Sequence, residues 1–267
     1  MAERSMAAAE LVRFRGGGFE PGLRRGAAWL VLALILAAWQ AASSSGLLPA
    51  LVMPSPLQVL HAFADMWRSG RLTIDLEASL SRVAWGWTIG TAAGLAAGIA
   101  MGIWSSARSV GIPVVSALFP IPKIALLPLL ILWFGIGEPS KVATIALGVF
   151  FPTVITGYSS VDAVPRNLIR MAQSFNVPRH AIIRKILLPG AMPGILAGFR
   201  ISSSIALILL VAAEMIGAEH GVGAFILQAG NLMQTDQLVA GVVVLSVLGL
   251  AISYLLGRLE RALLRWG

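Results

Sequence analysis

The sequence contains no cysteine, which excludes disulfides, thiolate nucleophiles and cysteine-ligated iron–sulfur clusters. Charge is scarce too. Asp, Glu, Lys and Arg make up 12% of the 267 residues, against about 25% in a soluble domain. The three histidines, His61, His180 and His220, stand far apart and show no metal-ligand spacing. No GxxxxGK[ST] loop is present, so the chain does not bind ATP by that route. A GxSxG elbow and an HExxH helix are missing as well. Gly221-Val222-Gly223 is too short for a dinucleotide fingerprint. Ser202, Ser203 and Ser204 fall in an apolar segment with no base beside them, and serines there commonly bond to backbone or hold helices together. The chain is therefore expected to carry no catalytic constellation, no metal and no cofactor of its own.

What the sequence has is apolar length: 57% of its residues are hydrophobic. A membrane-crossing helix needs about 20 apolar residues. Candidate spans run over about 27–43, 80–104, 110–134, 141–158, 192–216 and 238–256. The expected fold is an all-α membrane protein with six transmembrane helices. Residues 1–26 are polar and glycine-containing and read as an N-terminal tail without an evident cleavable signal. Residues 27–260 form the transmembrane domain, 159–190 a loop within it, and 261–267 a C-terminal tail. Residues 48–79 are too polar to cross. Within them Leu57 to Trp67 has apolar residues at helical spacing and is expected at the outer interface.

The net charge of +8 is not gathered into a nucleic-acid-binding patch. Lys and Arg sit at the ends of the apolar segments, as topology determinants do. Arg4, Arg13, Arg15, Arg24 and Arg25, then Arg108, then Arg166, Arg170, Arg179, Arg184 and Lys185, then Arg258, Arg261 and Arg265 fall on one side of a six-span arrangement. Arg68, Arg71, Arg82 and Lys141 are placed on the other, with Glu214, Glu219 and Asp236. The positive-inside rule puts both termini and the 159–190 loop in the cytoplasm.

Three features inside the spans stand out. Gly86, Gly90, Gly94, Gly98 and Gly102 recur every fourth residue and form one ridge on a helix. It suits either tight packing within one subunit or a face that slides on another helix. Lys123, between prolines in the third span, either faces a translocation path and attracts an anion or snorkels to an interface. Arg200 and Glu214 are separated by about 21 Å along a helix and do not pair. Arg200 suits an inner-interface anchor. Glu214 suits either an outer gate or a hydrogen bond to the loop that follows it.

The stretch Arg166 to Leu187 reads as two short helices. The first, to Phe175, has Leu168, Ile169, Ala172 and Phe175 at helical spacing. Asn176 tolerates the left-handed conformation that closes a helix, and Pro178 suits the first turn of the next. The second helix carries Ile182, Ile183, Ile186 and Leu187 on one side, and Pro189 is expected to stop it. A hairpin this short needs a partner surface for its apolar face. Anionic lipid is one possible surface.

This segment resembles the coupling loop of binding-protein-dependent ABC importer permeases. The resemblance rests on Ala172, Ser174, Leu188, Pro189, Ala191, Pro193, Gly198 and Arg200. Arg170-Met171 stands where the family has Glu-Ala, and Asn176 where it has Gly. Residues 48–60 (LPALVMPSPLQVL), Ser79 to Val83, Leu127 to Gly137, Ser140-Lys141, Phe151-Pro152, Ala213-Glu214, Gly221 to Gly223 and Thr235-Asp236 extend the likeness to the nitrate/taurine/alkanesulfonate branch over roughly 48–265. The resemblance implies a type I importer fold and a permease subunit in the cell inner membrane. It implies a second copy of the chain, two ATPase subunits that bind ATP and Mg, and an external substrate-binding protein. The substrate would be a small anion. ATPase contacts would fall on Ala172, Gln173, Ser174, Phe175, Asn176 and Val177, with Leu188 and Pro189 behind them. An integral membrane enzyme or an ATPase-independent channel is the alternative.

Overall fold

The computed structural model describes residues 27–46, 49 and 51–264. Among these the regular elements are all helical. The expected N-terminal tail, 1–26, lies outside the described residues, as do residues 265–267 of the tail expected at 261–267, whose residues 261–263 instead continue the last helix. The α-helices are α1 (Ala27–Ser44), α2 (Pro56–Arg68), α3 (Arg71–Ile103), α4 (Ser105–Leu118), α5 (Leu127–Phe134), α6 (Glu138–Asp162), α7 (Arg166–Ser174), α8 (Arg179–Ile182), α9 (Leu188–Gly217), α10 (Val222–Asn231) and α11 (Thr235–Leu263).

The pair α3 and α6 forms the spine. Gly86 faces Ile145, Gly90 faces Ala146, Gly94 faces Phe150 and Thr153, Gly98 faces Val154 and Tyr158, and Gly102 faces Val161. Both numberings rise together, so the two helices run parallel. A Cβ at Gly90 would lie 2.4 Å from the Ala146 carbonyl oxygen, so no larger residue fits without parting the helices. The glycine ridge is thus filled by a helix of the same chain. Against its other side α6 packs antiparallel on α9, where Gly198 meets Thr156 and Gly194 meets Ser160.

Parallel α3 and α6 oblige the chain between them to return to its starting end. α4 and the segment Lys123–Phe134 make that return with an 85° bend, inside the proline-interrupted span expected at about 110–134. Prolines cause the break. Pro120 and Pro122 lack amide donors, and Pro122 is extended at φ −63°, ψ 108°. A single 3₁₀ turn, Lys123–Leu126, leads into α5. Pro113, by contrast, is accommodated inside α4.

Four helical runs are long and apolar enough to cross a membrane: Arg71–Ile103, Glu138–Asp162, Arg179–Gly217 and Thr235–Leu263. The bent pair makes a fifth if it counts as one span. Several expected boundaries move, and α11 runs on to Leu263 rather than ending near 256. α3 begins at Arg71 rather than near Leu80, because Leu72 and Asp75 are already buried against the neighbouring helices. Pro189 does not stop a helix. Ile183–Leu187 forms a π turn that carries the chain from α8 into α9 without interruption. The wider π turn shifts the hydrogen-bond register, and Pro189 falls in the first turn of α9, where its missing donor costs little.

α2 is fixed by its own start. Ser55 accepts from the Gln58 amide at 3.3 Å, and Gln58 Oε1 accepts from the Ser55 amide at 2.7 Å, a capping box with Pro56 next in line. It buries Val59, Ala62 and Met66 against Val222, Phe225, Ala240 and Val244. A face expected on the outer interface is therefore packed on α10 and α11.

Charge divides the bundle lengthwise. Toward the end where α3 and α6 finish lie Arg108, Arg166, Arg170, Arg179, Arg184, Lys185, Arg200, Arg258 and Arg261, offset among the described residues by Asp162 and Glu260. The end where α3 and α6 begin carries Arg68, Arg71, Arg82 and Lys141 together with Asp65, Asp75, Glu77, Glu138, Glu214, Glu219 and Asp236.

Candidate functional site

At the basic end the chain folds into a helical hairpin. α7 closes with Asn176 in the left-handed region at φ 56°. The Asn176 amide donates to the Gln173 carbonyl at 2.9 Å and the Val177 amide to the Ala172 carbonyl at 3.0 Å. These two bonds define a Schellman motif, with Val177 set back against the helix. Asn meets the turn's backbone demand in place of glycine.

The expected apolar face of α7 divides in two. Ala172 is buried, and the half-buried Ile169 packs against a cluster that includes Val161, Val164, Leu187, Ala191 and Ile195. Leu168 and Phe175 point outward and align with Met171, an i, i+3, i+7 stripe. Phe175 is 76% exposed and Met171 54%. Gln173, Ser174 and Asn176 are exposed beside them. Ala172 is therefore turned inward and lies off the outer surface on which it was expected. Leu188 and Pro189 are half-buried in the first turn of α9, where they support the hairpin from behind. The second helix buries Ile182 and Leu187 inward. The loop is shorter than 159–190, since α6 runs to Asp162 and α9 starts at Leu188.

The opposite end holds a charge cluster that sequence reasoning misplaced. Arg82, expected as a topology-setting surface residue, has a side chain 3% exposed. Its Nε and Nη2 each donate at 2.6 Å to the two oxygens of Glu138, and its Nη1 donates at 2.6 Å to Glu214 and at 2.7 Å to the His220 carbonyl. Glu214 is fully buried. It accepts from Ser79 Oγ at 2.8 Å and from the Gly223 amide at 2.8 Å. Ser79 Oγ in turn accepts from the Val222 amide at 3.0 Å, and Asp75 accepts from the Gly221 amide at 2.8 Å. One guanidinium thus joins α3, α6, α9 and the loop leading to α10. The arrangement has the form in which buried charge is tolerable, with opposite charges paired and both oxygens of Glu214 and of Glu138 bonded.

Gly221 and Gly223 make the close approach possible. A Cβ on Gly221, which has φ 131°, would lie 2.5 Å from the Glu214 carboxyl and 2.6 Å from Arg82. The signal available in the sequence was the spacing of Asp75, Ser79 and Arg82, which places three polar side chains on one face of the helix. Lys141, also expected at the surface, is buried, with Nζ donating to the Gly137 carbonyl at 3.0 Å.

Lys123 sits at the proline break. Its Nζ donates to the carbonyls of Leu118 at 2.7 Å, Phe119 at 2.9 Å and Ile121 at 2.7 Å, and lies 4.6 Å from the Phe151 ring centre. An ammonium has three donors, and all three are taken by carbonyls at the break. Arg200 Nη2 pairs with Glu260 at 2.6 Å and ties α9 to α11. The structure brings Lys123, Glu214 and the hairpin into three separate places.

A parallel glycine-seated helix pair, a proline-broken return and a hairpin continuous with a long apolar helix make up a helical membrane bundle among the described residues. Residues 90–265 match the family described as binding-protein-dependent transport system inner membrane component. The chain is 36% identical over 258 residues to an aliphatic sulfonates transport permease protein, SsuC, of Bacillus subtilis (strain 168), covering 97% of this chain and 93% of that one. It is 34% identical to the taurine transport system permease protein TauC of Escherichia coli (strain K12), covering 88% and 87%. It is 35% identical to the riboflavin transport system permease protein RibX of Chloroflexus aurantiacus, covering 89% and 88%. Among solved structures, an inward-facing form of the MetNI methionine ABC transporter superposes with a TM-score of 0.61 at 22% identity, over 71% of this chain and 94% of that one. The chain belongs to the binding-protein-dependent transport system inner membrane component family, and it is a multi-pass ABC transporter permease.

Proposed function

We propose that this permease forms the translocation pathway of an ATP-driven importer of the inner membrane, and that the 166–187 hairpin is its point of contact with a separate ATPase. The observation that carries this reading is the outward stripe of Leu168, Met171 and Phe175 on a helix whose other side is anchored to the bundle. A helix of nine residues is too short to hold such a stripe in water without a partner. The excess of Arg and Lys at that end supports its cytoplasmic placement. With α1 as one crossing and the bent α4–α5 pair as another, the spans number six and both termini are cytoplasmic.

The mechanism follows from how force reaches the membrane. The hairpin joins α9 through the π turn, α9 packs on α6, and α6 is seated on α3. At the far end Arg82 fixes the same three helices to one another. A push on the hairpin therefore moves the α3–α6–α9 core as one body. Two copies rocking together would open the pathway between them to one side and then the other, with external binding protein delivering the substrate. That substrate is proposed to be a small anion of the sulfonate or taurine kind. Selectivity is assigned to the binding protein, since relatives named for taurine and for riboflavin stand at 34% and 35% identity to this one chain.

Copurification of the tagged permease from its native host tests the reading. A P-loop ATPase subunit is expected in stoichiometric yield, with ATPase activity that rises on addition of loaded binding protein. A permease that purifies alone and conducts ions without nucleotide would replace the importer with a channel.

A further inference from the structure

Between the hairpin and the end of α3 lies a cleft of about 410 Å³. Its polar wall carries Arg108, Arg166 and Arg170, and Asp162 is the one carboxylate lining it among the described residues. Asp162 accepts from Arg108 Nη2 at 2.7 Å and lies 4.0 Å from Arg166. One carboxylate against three guanidiniums leaves two positive charges in excess. Arg108 is further held at 4.9 Å over the Tyr158 ring, so its position is set before any ligand arrives. Ser105 and Gln173 add uncharged polar groups, and Ile103, Val161, Val164 and Leu187 give the same cleft an apolar wall. A neighbouring cavity of about 530 Å³ shares Ile103 and Leu187 and continues along Ile182 and Ile183. Trp104 stands in the basic cleft and is half exposed, as an interfacial tryptophan does.

Guanidiniums match phosphate oxygens with paired donors. Basic pockets between helices at the cytoplasmic face suit the headgroups of anionic lipids. A free inorganic anion has no use for the apolar wall, whereas a phospholipid has both a head for the arginines and chains for the isoleucines. We propose that this cleft binds a phosphate-bearing anion, namely the headgroup of an anionic phospholipid, beneath α7. Its occupant would lie where the hairpin meets the bundle, so membrane composition would bear on the hairpin's seat.

Lipid retention by the purified full-length permease tests this, and the readout does not depend on whether an ATPase docks. Permease in mild detergent is incubated with phosphatidylglycerol or with phosphatidylcholine and examined by native mass spectrometry. Wild type should keep phosphatidylglycerol in preference to phosphatidylcholine. Arg166→Gln with Arg170→Gln should weaken that retention roughly 10- to 30-fold, at about 5-fold per arginine. Both side chains are exposed, so the protein should fold, and an unchanged melting temperature would verify it. Arg258→Gln with Arg261→Gln, at the same end but outside the cleft, should leave retention within 3-fold of wild type. Equal loss in both double variants would reduce the site to general surface charge and overturn the proposal. A parallel arm with inorganic phosphate should show no binding that depends on Arg166 and Arg170. If phosphate binds with that dependence and the lipid does not, the lipid assignment is wrong.

Discussion

The two ends of the α3–α6–α9 core are built on opposite plans. At one end Arg82 and Glu214 are sealed from solvent, and their donors and acceptors are met within the chain. At the other end Phe175 and Met171 lie open. The closed end resists relative movement of three helices, because parting them would strand a buried charge. The open end cannot be at rest in water and calls for a second surface. A subunit with one locked end and one receptive end is suited to move as a body when the receptive end is pushed.

Breaking the lock has the largest expected effect. Arg82→Ala leaves Glu214 buried without its cation and should destabilise the permease by about 3–5 kcal/mol. A fall in detergent melting temperature and in yield would register it. If Arg82→Ala is as stable as wild type, the cluster does not hold the core together. Parting the spine comes next. Gly90→Leu drives a side chain into the Ala146 backbone, and overpacking of this kind costs about 1–3 kcal/mol. The same thermal assay should show a loss smaller than that of Arg82→Ala, since the rest of the ridge remains.

Lys123 sharpens the contrast between structure and pathway. Lys123→Ala removes the donor shared by three carbonyls at the break and should cost about 1–3 kcal/mol. With its donors so committed, the KM for substrate uptake should stay within a few-fold of wild type in the protein that does fold. A KM raised more than ten-fold at unchanged stability would instead place Lys123 on the substrate's path.

The sequence made the helices legible because long apolar runs admit one answer in a membrane. The turn at Asn176 was legible for the same local reason: few residues accept φ near 56°. The glycine ridge announced a close contact but not its partner, since a period of four fixes a face and says nothing of what lies against it. Pro189 misled because a π turn upstream can absorb a proline, and no residue pattern announces a π turn. Arg82 misled most. A cation near a span end satisfies the positive-inside count and a buried pair equally well. The choice between them rests on Glu138 and Glu214, which lie 56 and 132 residues further along the chain. Ala172 and Phe175 share a helical spacing, yet they part company because α7 presses one side on the bundle and leaves the other free.

The proposed entry point for ATPase force is the open stripe and not the locked end. The direct test is Phe175→Asp in the assembled transporter, measured as ATPase stimulation by loaded binding protein. Phe175 supports no internal packing at 76% exposure, so the melting temperature of the permease should be unchanged. Stimulation should fall at least ten-fold while the permease remains folded in the membrane. Stimulation equal to wild type, with the ATPase still bound, would contradict it.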